Sequence, residues 1–244
     1  IDHEAASRAG VLVCQASRAW VATVAELVIG HMIAIARDIA RSDAAYKSGV
    51  RQTPRVGTQL FGATAGVIGL GPLGRRVADL CHALGMTVLV TDPYVQADNP
   101  EWRQVALEDL LRQSDFVVPL AVATDETENL IDARALSLMK ETAYLINLSR
   151  GNLVDERALA DALDARQIAG AALDVGRAAD QMPSPELARR QDVIATPHVG
   201  GLTPQAIEGQ ALEIVTQLSE LFQGKIPRGA VNAASATRLQ RSIA

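Results

Sequence analysis

Apolar residues fall into two textures along the chain. Between residues 19 and 47, Val21, Val24, Val28, Met32, Ile35 and Ile39 recur at spacings of three and four, which is the period of a helix. One long helix is predicted there, after a short run, Val11-Leu12-Val13, that suits a strand. Residues 49–61 carry Pro54 and Gly57 without periodicity and read as a connection. From Ala65 onward, short unbroken apolar runs alternate with helical segments. The runs are Gly66-Val67-Ile68-Gly69, Thr87-Val88-Leu89-Val90, Phe116-Val117-Val118, Tyr144-Leu145-Ile146, Ala171-Ala172-Leu173 and Val193-Ile194-Ala195. Residues 73–84, 107–113, 132–139 and 155–165 lie between them with helical patterning. Runs without polar alternation suit strands buried on both faces, so the predicted fold class is α/β, a doubly wound parallel sheet covered by helices.

Residues 203–222 form another amphipathic stretch, with Ile207, Ala211, Ile214, Leu218 and Leu221 on one stripe. Gly224 stops it, residues 227–231 read as a short extended piece, and the tail 233–244 has little to bury and is predicted to fray. No internal repeat is visible.

Composition narrows the partners. Lys and Arg number 23 against 28 Asp and Glu, a net charge of −5, and aromatics make up 3%, so no basic or base-stacking surface for nucleic acid is signalled. Cys14 and Cys81 stand far apart, without Cys or His at metal spacing. They read as two small buried hydrophobes in a reducing, cytoplasmic compartment, and no metal site is expected. No apolar run reaches the ~18 residues that cross a bilayer, and no charged segment precedes an apolar one in the manner of a signal peptide, so no membrane partner is expected. Residues 21–36 contain Glu26 and His31 and read as a buried helix.

Chemistry enters at Gly69-Leu70-Gly71-Pro72-Leu73-Gly74, a G-x-G-x-x-G directly after a predicted strand and at the start of a predicted helix. Its glycines serve a sharp turn, the approach of backbone N–H groups to a pyrophosphate, and close packing of helix on strand. The diphosphate then meets a helix N-terminus. Asp92 closes the next strand, 18 residues beyond Gly74, where an acid can bond both hydroxyls of an adenosine ribose. It is followed by Pro93-Tyr94 without a neighbouring Arg or Lys, which favours NAD over a cofactor carrying a 2′-phosphate.

Three polar residues follow later strands, where ligands bind in such sheets. Arg150 lies in Asn147-Leu148-Ser149-Arg150-Gly151, Asp180 in the loop after Ala171–Val175, and His198 in Thr196-Pro197-His198-Val199-Gly200-Gly201. Hydride transfer to a carbonyl builds negative charge on oxygen, and a guanidinium with an imidazolium would stabilise it. His3, His31 and His82 read as structural histidines.

These motifs, with Val24-Ala25-Glu26, Val154-Asp155-Glu156 and Ala172-Leu173-Asp174-Val175, resemble the D-isomer-specific 2-hydroxyacid dehydrogenases, from Ile1-Asp2 to Val231-Asn232. The resemblance implies an NAD-dependent enzyme of two domains, active in the cleft between them and dimerising through its cofactor domain. It implies that Arg150 binds the carboxylate and carbonyl oxygen of a 2-keto acid and that His198 donates the proton in reduction. Asp174 would contact the nicotinamide side, and Pro72, Leu73, Leu148, Ser149, Arg150, His198, Gly200 and Gly201 would line the cofactor.

Departures accompany it. Members usually place a Glu shortly after the stretch matching Asp174-Val175, but this chain reads Gly176-Arg177-Ala178-Ala179-Asp180, so Asp180 is the candidate acid partner of His198. Members commonly carry a His and a Pro after the third strand. Here Ala121 and Val122 stand in that region, left to touch the nicotinamide ribose through backbone. Members also carry a segment ahead of the position of Ile1 that builds most of a flavodoxin-like substrate domain. The expected layout is therefore 1–17 closing that domain, 18–202 as the NAD-binding domain, and 203–244 returning to the substrate domain. A different reading is an NAD-sensing binding module without turnover, as in the family's corepressor relatives.

Overall fold

The structure is a computed structural model, and it describes residues 1–15, 17–51 and 53–238. The chain divides into two compact units, residues 21–200 and residues 1–20 with 201–244.

The larger unit is built on seven strands: β1 (Thr64–Ile68), β2 (Thr87–Thr91), β3 (Trp102–Gln104), β4 (Phe116–Pro119), β5 (Tyr144–Asn147), β6 (Gly170–Leu173) and β7 (Val193–Ala195). Every pairing is parallel and the order is β3-β2-β1-β4-β5-β6-β7. The chain works outward from β1 to β3 and then returns to β4 on the other side of β1, so the sheet has its switch point between β1 and β4. The unbroken apolar runs are explained by burial on both faces: Val67, Phe116, Val117, Val118, Leu145, Ile146, Ala171 and Ala172 expose nothing.

The helices of this unit are α2 (Trp20–Ala36), which starts at the last residue of the other unit, α3 (Ile39–Lys47), α4 (Pro72–Ala83), α5 (Leu107–Gln113), α6 (Ala133–Leu138), α7 (Glu156–Asp164) and α8 (Pro185–Ala188). Several starts are set by side-chain caps that satisfy first-turn N–H groups. Asp132 accepts from Ala135, and Asp155 from Arg157 and Ala158. Leu136, Leu153 and Leu159 fill the space beneath α6 and α7.

The single long helix predicted over 19–47 is two helices bent by 66°. Asp38 sits between them in the left-handed region, at φ 56°, and takes an ion pair from Arg41 one turn on. Aspartate tolerates that conformation, so the chain breaks without Gly or Pro. The edge strand β3 was not predicted, since only Trp102 of its three residues is buried. No single helix among the described residues is long and apolar enough to cross a membrane.

The smaller unit contains α1 (His3–Arg8) and α9 (Pro204–Phe222). Val11-Leu12-Val13 is not the strand its apolar run predicts. The N–H of Val13 goes instead to the Asn232 side chain, its carbonyl accepts from Val231, and Cys14 makes an isolated antiparallel bridge to Ala230. The predicted fraying of the tail also needs correction, because Ala236 is fully buried and the Arg238 N–H donates to the Gly10 carbonyl. The remainder of that tail, 239–244, lies outside the described residues. Along α9 only Ala206 is buried, while Ile207, Leu212, Ile214, Val215, Leu218 and Phe222 are exposed.

Candidate cofactor and catalytic site

A parallel sheet presents the carboxyl ends of all its strands on one edge, and six candidate segments begin there. Gly69 follows β1, Asp92 follows β2, Leu120-Ala121 follows β4, Leu148-Ser149-Arg150 follows β5, Asp174 follows β6 and Thr196-Pro197-His198 follows β7.

The glycine loop occupies the switch point. Gly69 has φ +100°, and a Cβ there would stand 2.8 Å from the backbone nitrogen of Ala121. A Cβ on Gly74 would run into the Gly69 carbonyl oxygen, so α4 lies against the end of β1 more closely than any side chain permits. Gly71 differs from both, since a Cβ there would meet nothing within 4 Å. It is also the cap residue of α4, supplies no side-chain cap, and is followed by Pro72, which has no N–H. The first turn of α4 carries no acid. Its positive end therefore opens on free space beside an exposed glycine, which fits a diphosphate.

Asp92 holds this loop. One carboxylate oxygen accepts the Leu70 N–H at 2.7 Å, and the other accepts the N–H groups of Tyr94 and Val95 at 2.9 and 3.0 Å. In the glycine loop and the start of α4, Gly71 and Pro72 are exposed while Leu73 and Gly74 are buried. Ala121 is half-buried against Gly69, and Val122 is exposed with its carbonyl taken by the Thr127 hydroxyl.

After β5, the buried Asn147 shapes the Arg150 loop. Its amide donates to the Arg150 carbonyl at 2.9 Å, and its amide oxygen accepts from Ser149 N–H at 3.1 Å. Leu148 is buried and Ser149 half-buried. Arg150 is exposed, its guanidinium donates to the Ser149 carbonyl, and it makes no ion pair among the described residues. A cation in that state is open to an anionic ligand.

After β6, Asp174 is 1% exposed and entirely committed. It accepts from the Thr196 hydroxyl at 2.5 Å and from the Val199 and Gly200 N–H groups at 2.9 Å each. The carboxylate placed by resemblance near the nicotinamide thus grips the turn that bears His198. His198 is half-buried, has φ 54°, and donates its N–H to the Thr196 carbonyl. Gly200 packs on Val24 and Asp174, and Gly201 opens the second segment of the other unit. β5 and β7 are two strand intervals apart, about 10 Å, so Arg150 and His198 rise from backbone close enough to serve one small molecule.

Asp180 is not brought to His198. It is exposed, its carboxylate accepts from Met182 N–H at 3.0 Å, and no hydrogen bond or ion pair joins it to His198 among the described residues. The loop closes on itself, with Gly176 N–H donating to the Gln181 carbonyl. Arg177 anchors its start to the Val154 and Asn152 carbonyls and to Glu128, whose carboxyl it holds below the usual range.

Two participants were missed from sequence. Asn147 is a polar strand end, and Thr196 precedes a conspicuous Pro-His pair. Both are legible only once their partners across neighbouring strands are known.

Strand, glycine loop, helix, strand and acid in this arrangement define a dinucleotide-binding α/β domain. Residues 29–200 match the family described as D-isomer specific 2-hydroxyacid dehydrogenase, NAD binding domain, and the chain belongs to that family. It is similar to the D-3-phosphoglycerate dehydrogenase of Synechocystis sp., 36% identical over 236 residues, which cover 95% of this chain and 42% of that protein. Among solved structures, the TT0316 protein from Thermus thermophilus matches with TM-score 0.87 and 30% identity over 95% of this chain and 75% of its own. The D-lactate dehydrogenase from Aquifex aeolicus complexed with NAD and lactic acid matches with TM-score 0.85 and 28% identity over 95% and 76%. The chain spans less than half the length of the curated relatives it matches.

Proposed function

We propose that this protein is an NAD-dependent oxidoreductase of small D-2-hydroxy acids and the matching 2-keto acids. The observation that carries the reading is the common edge: the open N-terminus of α4, Arg150 without an ion pair among the described residues, and the His198 turn all follow carboxyl ends of the same parallel sheet.

NADH, when bound, supplies the hydride. The chain's own residues do the rest. Arg150 holds the substrate carboxylate and the carbonyl oxygen through its forked donors. His198 gives a proton to that oxygen as charge builds on it, and takes it back in the oxidative direction. Asp174 acts through the turn, fixing where His198 stands.

The experiment is NADH oxidation by the full-length protein with a panel of 2-keto acids, with and without a phosphate. Arg150→Gln should raise KM and lower kcat, and His198→Gln should lower kcat with NADH affinity kept. Protein that binds NADH yet turns over no 2-keto acid overturns the reading.

We also infer a homodimer formed through the larger unit. Ile39, Tyr46, Val50 and Val56 are exposed apolar side chains on α3 and the connection after it, and a second copy would cover them.

A further inference from the structure

We propose that His31 is a positioning residue for the turn that carries His198, acting from α2 through the Thr196 hydroxyl and Asp174. Its relevance to the reaction rests on the role given above to His198.

His31 is 4% exposed, in the middle of α2. Its Nδ1 lies 3.0 Å from the Leu27 carbonyl oxygen and its Nε2 lies 3.1 Å from Thr196 Oγ1, so both ring nitrogens are engaged. Thr196 Oγ1 in turn lies 2.5 Å from Asp174 Oδ1. Asp174 completes the path by accepting from Val199 and Gly200, which flank the far side of His198. An imidazole on one helix is thereby linked through three hydrogen bonds in series to the backbone of the turn.

Proton counting shows what the link can do. The Leu27 carbonyl only accepts, so Nδ1 carries a hydrogen and the ring orientation is set. The Thr196 hydroxyl has one proton, which the short contact assigns to Asp174. Nε2 then faces an oxygen lone pair and must itself donate if its contact is to be a hydrogen bond. The chain from Leu27 to Asp174 is fully hydrogen-bonded with one proton more than a neutral ring brings. With that proton Nε2–H holds Thr196 Oγ1 and strengthens its donation to Asp174; without it the hydroxyl is held from one side only.

The groups around the ring fix the direction of its titration. α2 presents the neutral Leu27 carbonyl, the end of β7 presents the Thr196 hydroxyl, and the end of β6 presents Asp174, the one charged group acting on the ring among the described residues. Burial pushes the imidazole below its ordinary value, against the pull of Leu27 and Asp174. The extra proton therefore arrives on the acid side of neutrality.

The test follows imidazole nitrogen and backbone amide resonances by NMR in the full-length protein, over roughly pH 8 to 5. A His198→Gln background removes the imidazole carried by the turn itself. His31 is expected as the Nδ1–H tautomer at high pH, gaining a proton on Nε2 with acidification. The Val199 and Gly200 amides should shift with the same midpoint, and in His31→Gln their titration should vanish while both resonances persist. Thr196→Val should uncouple the two amides from His31. Amides that stay still through the His31 titration overturn the proposal, as do amides that titrate unchanged in His31→Gln. Because none of these signals needs turnover, the coupling and the proposed reaction fail separately.

Discussion

The backbone nitrogen of Ala121 stands 2.8 Å from where a Cβ on Gly69 would project, so the loops after β1 and β4 meet at the only distance a hydrogen side chain allows. Gly69→Ala combines that clash with φ +100° and should cost on the order of 2 kcal/mol or more in urea unfolding. Gly71→Ala has open space around it and should change stability by less than about 1 kcal/mol. Its methyl group nevertheless occupies the approach to α4, so NADH titration by fluorescence should show affinity weakened about tenfold or more, ~1.4 kcal/mol. Equal stability losses in the two variants would contradict this division of labour.

Asp174→Ala strips an acceptor from three donors at once. With Gly200 buried and Asp174 1% exposed, water replaces it poorly, and a loss on the order of 3 kcal/mol is expected by chemical denaturation. Asp174→Asn keeps one accepting oxygen and should lose less. A wild-type melting curve for Asp174→Ala would mean that the turn is held by something else.

The buried His31 also gives stability a pH dependence. Its folded-state value lies below the ordinary 6.5, so the unfolded chain takes up the proton first. The folded state therefore loses stability as pH falls through the ordinary value, and the loss levels off below the depressed one. His31→Gln removes this contribution, so the mutant-minus-wild-type difference in unfolding free energy should change with pH in the window just below 6.5 and be flat above it.

Cys81 is fully buried on α4, and burial pushes its thiol up to about 12. A thiol in that state is inert. At about pH 8, Ellman's reagent should label Cys81 only after denaturation. Labelling of Cys81 in the native protein at the rate of a free thiol would show that α4 opens far more readily than its packing implies.

Val56 is fully exposed on the connection after α3. If the exposed side chains of Ile39, Tyr46, Val50 and Val56 are covered by a second copy, Val56→Glu should halve the mass seen by light scattering without altering the melting of the monomer. An unchanged mass would place any self-association elsewhere.

Six of the seven strands were legible because burial on both faces leaves unbroken apolar runs, and the G-x-G-x-x-G located the cofactor loop. The edge strand β3 escaped because a strand with one buried residue in three has no pattern. The break at Asp38 escaped because a left-handed aspartate carries no breaker signature. α1 escaped because it buries nothing, and its start depends on Asp2 accepting from Ala5. The positions of Arg150 and His198 just past the ends of β5 and β7 were readable from their short motifs, whereas the pairing of Asp180 with His198 asked sequence spacing to predict a loop path. That loop spends Asp180 on Met182 two residues away. His31 was set aside as structural because its partners lie 4 and 165 residues from it, and no local pattern announces the second.

Asp92, the acid that the motif places where sugar hydroxyls would bind, is already the clasp on Leu70, Tyr94 and Val95. A 2′-phosphate would meet this carboxylate, so admitting one means replacing the acid with a neutral residue. In this chain the same replacement would orphan three amides beside the glycine turn. Acceptance of a 2′-phosphate therefore requires at least two coordinated substitutions, one to welcome the phosphate and one to re-tether the loop. Single-step variants at this position should be selected against before any new preference can be expressed.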